Sequence, residues 1–429
     1  MKQNVLKHLD WISVVCYLLL VTIGWLTIYS TTVNEGSVSI FDLNYHYGKQ
    51  LLFIALSFPL IIFILATDTK FYDNFSFVFY IIGIVLLAGL FVFGKKINGS
   101  LSWYALGPVT LQPSEFAKVA TALFFAKYLS NIHTDIRKPT DLVRAVCILA
   151  IPGFLIILQP DAGSLLVFLS FVFVFYREGM PLTFLLYLLL AAVSFIAALK
   201  FGVLPTILVI TLLTFAGGYI SKRKNRRLPI NHIVLTLAIS IMTASVTPLV
   251  FDNVLKQHHR NRFSLWLRME NDPGKIREMR QNVAYNTYRS ESAISSGGLF
   301  GKGYLEGTHT RGNFVPEQQT DYIFTNLGEE WGLAGTVTVV VLFSFLLLRL
   351  IFLAEKQRSK FTRIYGYCVI SILFIHFLVN IGMVIGLVPT IGIPLPFFSY
   401  GGSGLWAFTI LLFVFLRLAA NRIHDFIEK

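Results

Sequence analysis

Residues 11–30 read WISVVCYLLLVTIGWLTIYS, twenty residues without one charged side chain. A hydrocarbon core about 30 Å thick needs about 20 apolar residues per helix, so this stretch predicts a membrane span. Lys2, Lys7, His8 and Asp10 precede it, and no small-residue cleavage site follows. The span is therefore expected to be retained, not removed as a signal peptide. The same pattern recurs at about 50–66, 74–94, 113–130, 143–158, 162–176, 181–199, 203–220, 230–250, 332–353, 365–387 and 402–420. With the first stretch that makes twelve candidates. Several are short and Pro160 interrupts the pair at 143–176, so the expectation is about 12 transmembrane helices within a range of 10–12. Composition agrees: 55% of the 429 residues are hydrophobic and 14% charged, against about 25% charged in a soluble domain. A water-soluble enzyme, a nucleic-acid-binding domain and a disordered chain are all excluded. The fold class is an all-α polytopic membrane protein.

Lys and Arg in short loops set the orientation of such a chain. Lys2 and Lys7 place the N-terminus in the cytoplasm. Alternation then puts Arg137, Lys138, Arg144, Arg177, the run Lys222–Arg227, the 355–363 loop and the tail after Arg417 on the same side. Both termini are cytoplasmic on this reading, and the formal charge of +13 belongs to topology, with no nucleic acid as partner. Cys16, Cys147 and Cys368 sit far apart in apolar runs and read as small buried hydrophobes. Three segments then lie outside: 95–112, 388–401 and a large loop at about 251–331. The first two are rich in Gly, Pro and Ser and read either as tight loops or as re-entrant backbone lining a cavity.

The large loop is basic, with Lys256, Arg260, Arg262, Arg268, Lys275, Arg277, Arg280, Arg289, Lys302 and Arg311. Such a loop suits either an anionic ligand, such as a phosphate-bearing lipid, or a solvated helix with paired carboxylates. Residues 295–303, SSGGLFGKG, resemble a phosphate loop but fail its pattern. Ser296 stands where the first Gly is required and Gly303 where Ser or Thr should follow Gly-Lys. No nucleotide is expected, only a flexible Gly turn with one cation. Downstream, Asp321 precedes Tyr322, Ile323 and Phe324, where an apolar setting makes a carboxylate a better base. It reads as a functional carboxylate or as an N-terminal charge for the next helix. In 111–118, LQPSEFAK, Pro113 suits the first helical position, and Glu115 and Lys118 lie at i, i+3. They either pair with each other or contact a substrate. Asp161, after Gln159-Pro160, reads as an N-cap, and His258, His259 and His309 show no metal-ligand spacing.

Six segments together resemble the SEDS family (shape, elongation, division and sporulation): 98–103 (NGSLSW), 111–118 (LQPSEFAK), 159–164 (QPDAGS), 293–308 (AISSGGLFGKGYLEGT), 314–324 (FVPEQQTDYIF) and 392–403 (GIPLPFFSYGGS). Their wording is closer to the rod-shape branch than to the division branch. The resemblance implies a single membrane domain, 1–429, in a multi-pass protein of the bacterial cytoplasmic membrane. Its activity would be that of a peptidoglycan glycosyltransferase polymerising lipid II at the outer face during elongation. It implies Asp321 as the catalytic residue and Glu115, Lys118, Arg260, Arg262 and Lys302 as substrate-binding residues. A divalent cation, Mg or Mn, is the one cofactor it leaves room for, with metal ligands unknown and no nucleotide. The implied partners are a class B penicillin-binding protein (a transpeptidase) and membrane lipid. Departures occur at Arg268-Met269, Arg289, His309 and Tyr322, where the family pattern has Asp-Pro, Gln, Gln and Phe. Relatives commonly have ten spans, so an extra helix pair is expected within 181–250. The alternatives are a lipid II flippase, a division-type paralogue and a structural scaffold. A flippase would place its site at the midplane between repeats, and no repeat is evident.

Overall fold

The computed structural model describes residues 5–32, 39–97, 100–107, 109–223, 230–254, 257–269, 285–312 and 314–421. Lys2, Asn98, Lys224, Arg226, Arg227, Lys256, Lys275, Arg277 and Arg280 lie outside the described residues, as do the side chains of Lys222, His258 and His259. All twelve apolar ranges are helical, and among the described residues ten helices are long and apolar enough to cross a membrane. The other two ranges differ for separate reasons. Residues 162–177 break into two short helices, and 113–130 carries charge into the protein interior. Two compact units form, Met1–Glu178 with Asn286–Lys429, and Gly179–Tyr285.

In the first unit, α1 (Trp11–Thr32), α2 (His46–Ala66), α3 (Ser76–Phe93), α4 (Pro113–Ser130), α5 (Pro139–Leu158), α6 (Ala162–Leu169) and α7 (Val172–Arg177) precede the long loop. α4 is enclosed by α3, α5 and two C-terminal helices, α15 (Lys360–Val384) and α16 (Gly402–Ala420). Glu115 and Lys118 are buried on it. Charge survives in such a helix only where the bundle supplies partners. Between α3 and α4 the 95–112 segment is not a plain loop. It is an antiparallel sheet of β1 (Lys95–Ile97), β2 (Ser100–Leu106) and β3 (Val109–Leu111), pairing Lys95 with Trp103 and Leu106 with Val109. Gly107, at φ 65°, opens the tight turn between β2 and β3.

The second unit holds α8 (Leu182–Phe201), α9 (Val203–Arg223) and α10 (Ile230–Leu249), packed on one another. α10 runs on into a π turn, Val250–Val254, and α11 (Gln257–Trp266) follows, with Phe263 edge-on to Phe195 at 6.4 Å.

The large loop is more helical than its composition suggests. It contains α12 (Tyr285–Gly297) and α13 (Thr308–Arg311), and α14 (Ile323–Glu355) begins inside it. α14 breaks at Gly332, whose φ of 63° and ψ of −158° are not helical. A break inside an apolar bundle leaves backbone groups that no water reaches. The glycine turn after α12 satisfies them. Lys302 N and Gly303 N donate to the carbonyls of Glu329 and Glu330 at 3.0 and 3.1 Å. Leu333 N and Ala334 N donate to Gly298 O and Leu299 O at 2.9 and 3.0 Å. The turn expected to be flexible is thus a clamp, and its amides are committed to protein carbonyls. A Cβ on Gly301, which sits at φ 82°, would collide with the Glu330 carbonyl. Gly301→Ala is expected to destabilise the protein by about 1–3 kcal/mol, read as a lower Tm of the purified membrane protein. An unchanged Tm would mean that the clamp does not hold the break.

Candidate active site

Asp321 is the last residue but one of an irregular segment, 314–322, that enters α14. Its backbone is fixed from three directions. The carbonyls of Gln319, Thr320 and Asp321 accept, in turn, Tyr400 N at 2.9 Å, Ser399 Oγ at 2.7 Å and Asn380 Nδ2 at 2.8 Å. Upstream, Glu317 adopts a left-handed φ of 56°, and its carbonyl accepts both Thr320 N and Tyr322 N. Strain of this kind persists where surroundings over-determine it, and it clusters at functional sites. The helix N-cap is Tyr322, which makes no side-chain capping bond. The Asp321 carboxylate is partly exposed and lies against Gly392, where a Cβ would stand 3.1 Å from Oδ2.

Gly392-Ile393-Pro394 is the common wall of the site. Asn380 Nδ2 donates its other hydrogen to Ile393 O at 2.7 Å, and His376 Nδ1 meets Pro394 O at 3.0 Å. On the far side a Cβ at Gly163 would stand 3.0 Å from Gly392 O, so the start of α6 packs on the same loop. Asp161 caps α6 as expected, accepting Ser164 N at 3.0 Å and Ser164 Oγ at 2.9 Å, with Gln112 Nε2 at 3.3 Å. Pro113 takes the first turn of α4 and Glu115 pairs with Lys118 at 2.8 Å, the two side chains 3% and 2% exposed. Lys118 Nζ also lies 3.0 Å from His376 Nε2 and 5.5 Å from the Phe408 ring centroid. The ion pair near the start of α4 and the Asp321 backbone are therefore joined through one face of α15.

Lys302 belongs to a different cluster. Its ammonium donates to Glu329 Oε1 at 2.7 Å and to Thr308 Oγ1 at 2.8 Å. Glu329 is fully buried and also accepts His309 N, Thr310 N and Thr310 Oγ1 at 2.8–2.9 Å. Thr310 Oγ1 lies 3.3 Å from Asn326 Oδ1, and Asn326 Nδ2 donates to Gln318 O at 2.8 Å, which ties the cluster to the Asp321 segment. Beside the same turn, burial first and then the neighbouring Glu330 carboxylate push the Tyr304 phenol up to about 12. It stays protonated and donates to Leu26 O at 3.2 Å.

Arg260 and Arg262 sit on α11 of the second unit, half-buried. Two positions apart on a helix, their side chains point in different directions. Among the described residues no group of three or more His, Cys, Asp or Glu gathers as a metal site. No chemical step is assigned to a divalent cation.

His376 and Asn380 carry the site's connectivity and were not singled out by sequence. The available signal was a His and an Asn at i, i+4 inside the apolar run 365–387, since polar groups in a span are functional by default. Glu329, in the Gly-Glu-Glu before the Gly332 break, carried the same signal. Cys16 and Cys368 are buried as expected, whereas Cys147 lies on the outer face of α5.

Residues 10–223 and 227–424 match the family of cell cycle proteins comprising FtsW, RodA and SpoVE. The match runs through both units, including the 181–250 helices. The chain is 30% identical to the peptidoglycan glycosyltransferase RodA of Treponema pallidum (strain Nichols), over 99% of this chain and 100% of that one. It is also 30% identical to the peptidoglycan glycosyltransferase MrdB of Escherichia coli (strain K12), over 82% and 80% of the two chains. Among solved structures, one chain of a peptidoglycan synthase complex that coordinates polymerization and crosslinking matches with a TM-score of 0.68 at 25% identity, over 97% of this chain and 99% of that one. The rod-shape-determining protein RodA of Thermus thermophilus shares the fold, with a TM-score of 0.61 at 22% identity over 96% and 97%. The chain belongs to the FtsW, RodA and SpoVE family of cell cycle proteins, multi-pass proteins of the bacterial cytoplasmic membrane.

Proposed function

We propose that this chain is a peptidoglycan glycosyltransferase of cell elongation that polymerises lipid II at the outer membrane face, with Asp321 as its base. The carrying observation is how Asp321 is held. Asp321 combines partial exposure with a backbone held on three successive carbonyls. A base must be fixed within hydrogen-bond reach of its proton, and rigid support supplies that positioning.

The reaction joins the acceptor sugar hydroxyl to the anomeric carbon of a second lipid-linked disaccharide. Asp321 takes the hydroxyl proton as the new C–O bond forms. The bond from the anomeric carbon to the phosphate oxygen breaks, and polyprenyl pyrophosphate leaves with the electron pair. Lys118 and Lys302 are the cations of the first unit proposed to stabilise that leaving charge, Glu115 orients Lys118, and Arg260 and Arg262 are proposed substrate-binding residues carried by the second unit. A direct displacement inverts the anomeric centre and needs one carboxylate base, unlike hydrolases that work with two. A class B penicillin-binding protein is the proposed partner that cross-links the product. The relative found in a synthase complex that couples polymerization to crosslinking supports this reading.

Asp321→Asn keeps the side-chain shape and every backbone bond, so it is expected to fold normally yet make no glycan strands from labelled lipid II with the cognate transpeptidase. Strands from that variant would remove Asp321 as the base, while strands from neither protein would favour a flippase. Lys302→Met takes one charged donor from buried Glu329, a loss of about 2 kcal/mol, so Tm and activity are expected to fall together. Lost activity at unchanged Tm would show that Lys302 serves the leaving group alone and adds nothing to the stability of the Glu329 cluster.

A further inference from the structure

His376 touches both Lys118 of the Glu115–Lys118 pair and Pro394 of the Gly392–Pro394 wall. It is 1% exposed, and Phe408 lies edge-on to its ring at 4.8 Å. Its bonding fixes its proton. Pro394 O can only accept, so Nδ1 carries hydrogen and donates to it at 3.0 Å. Nε2 is then left with its lone pair facing the Lys118 ammonium at 3.0 Å.

Lys118 is correspondingly constrained. An ammonium has three donors: one goes to Glu115 Oε1 and one to His376 Nε2. Two fixed acceptors on a flexible four-carbon side chain leave the third N–H with one direction to point. One turn further along α15, Asn380 holds Ile393 O and Asp321 O with its two amide hydrogens. The pair at i, i+4 therefore sets the cation from one position and the Asp321 backbone from the other.

We infer that His376 is a positioning residue for polymerisation, which accepts from Lys118 and so aims the remaining ammonium donor at the pyrophosphate of the donor lipid. This role rests on the glycosyltransferase reading. His376 touches no reacting atom; it acts through Lys118 in the way outer-shell partners orient the ligands of a metal site.

The two ring nitrogens can be separated by substitution. Gln at 376 places an acceptor oxygen where Nε2 stands. Asn keeps a donor near Nδ1 but does not reach Lys118, and Phe fills the space with neither. The test uses the full-length chain with its transpeptidase partner, measuring kcat and KM on labelled lipid II together with Tm, beside wild type and Asp321→Asn. His376→Phe and His376→Asn are expected to lose kcat by about 10–100-fold, the range for outer-shell residues, with KM little changed. His376→Gln is expected to stay close to wild type. His376→Phe at the wild-type rate would overturn the role. So would activity in Asn but not in Gln, because the ring would then serve only to anchor Pro394. Should Phe fail to fold, the Gln and Asn pair still decides. No strands from wild type, with the complex intact, would instead overturn the glycosyltransferase reading and the positioning role with it.

Discussion

Backbone that leaves helical geometry inside an apolar bundle must find every hydrogen-bond partner within the protein. That constraint organises the surroundings of Asp321. The Gly332 break and the Gly298–Gly303 turn answer each other with four backbone bonds. The turn in turn brings Lys302 to Glu329, and Glu329 collects the amides at the start of α13. The helical stretch from 323 to the break is thus fixed at its C-terminal end by the turn. At its N-terminal end it is fixed by the three carbonyls of 319–321. Asp321 stands at the head of a short rod held at both ends.

Charge follows the same economy. Lys118 faces Glu115 and Lys302 faces Glu329, so two of the cations proposed for the pyrophosphate already sit in compensated pairs. A bare ammonium in so dry a setting would be costly, whereas a paired and hydrogen-bonded one persists. Preorganised donors of this kind need no reorganisation when charge develops on a leaving group.

Much of this was legible in the chain. Apolar length alone located the twelve helical ranges, and the span expected to begin at 332 starts at the break in α14. Local chemistry gave the Asp161 cap and the Glu115–Lys118 pair, because both depend on residues three apart. What composition could not give were partners distant in sequence. Lys118 and His376 are 258 positions apart, and the glycine turn looks loose until the broken helix it serves is known. The 95–112 segment was misjudged for a related reason: its strands bond to each other across a turn, a pairing that Gly and Ser content does not announce.

The three ties on residues 319–321 come from Asn380, Ser399 and Tyr400, 59 to 81 positions later in the chain. Synthesis proceeds from the N-terminus, and earlier segments settle first. The ribosome therefore releases Asp321 well before the residues that hold it in place. A nascent or truncated chain ending ahead of residue 380 carries the acidic side chain without its frame, and so leaves the base proposed above with no fixed aim. On that proposal activity waits for the chain up to Tyr400, which makes insertion of the C-terminal segment into the bilayer a condition of it.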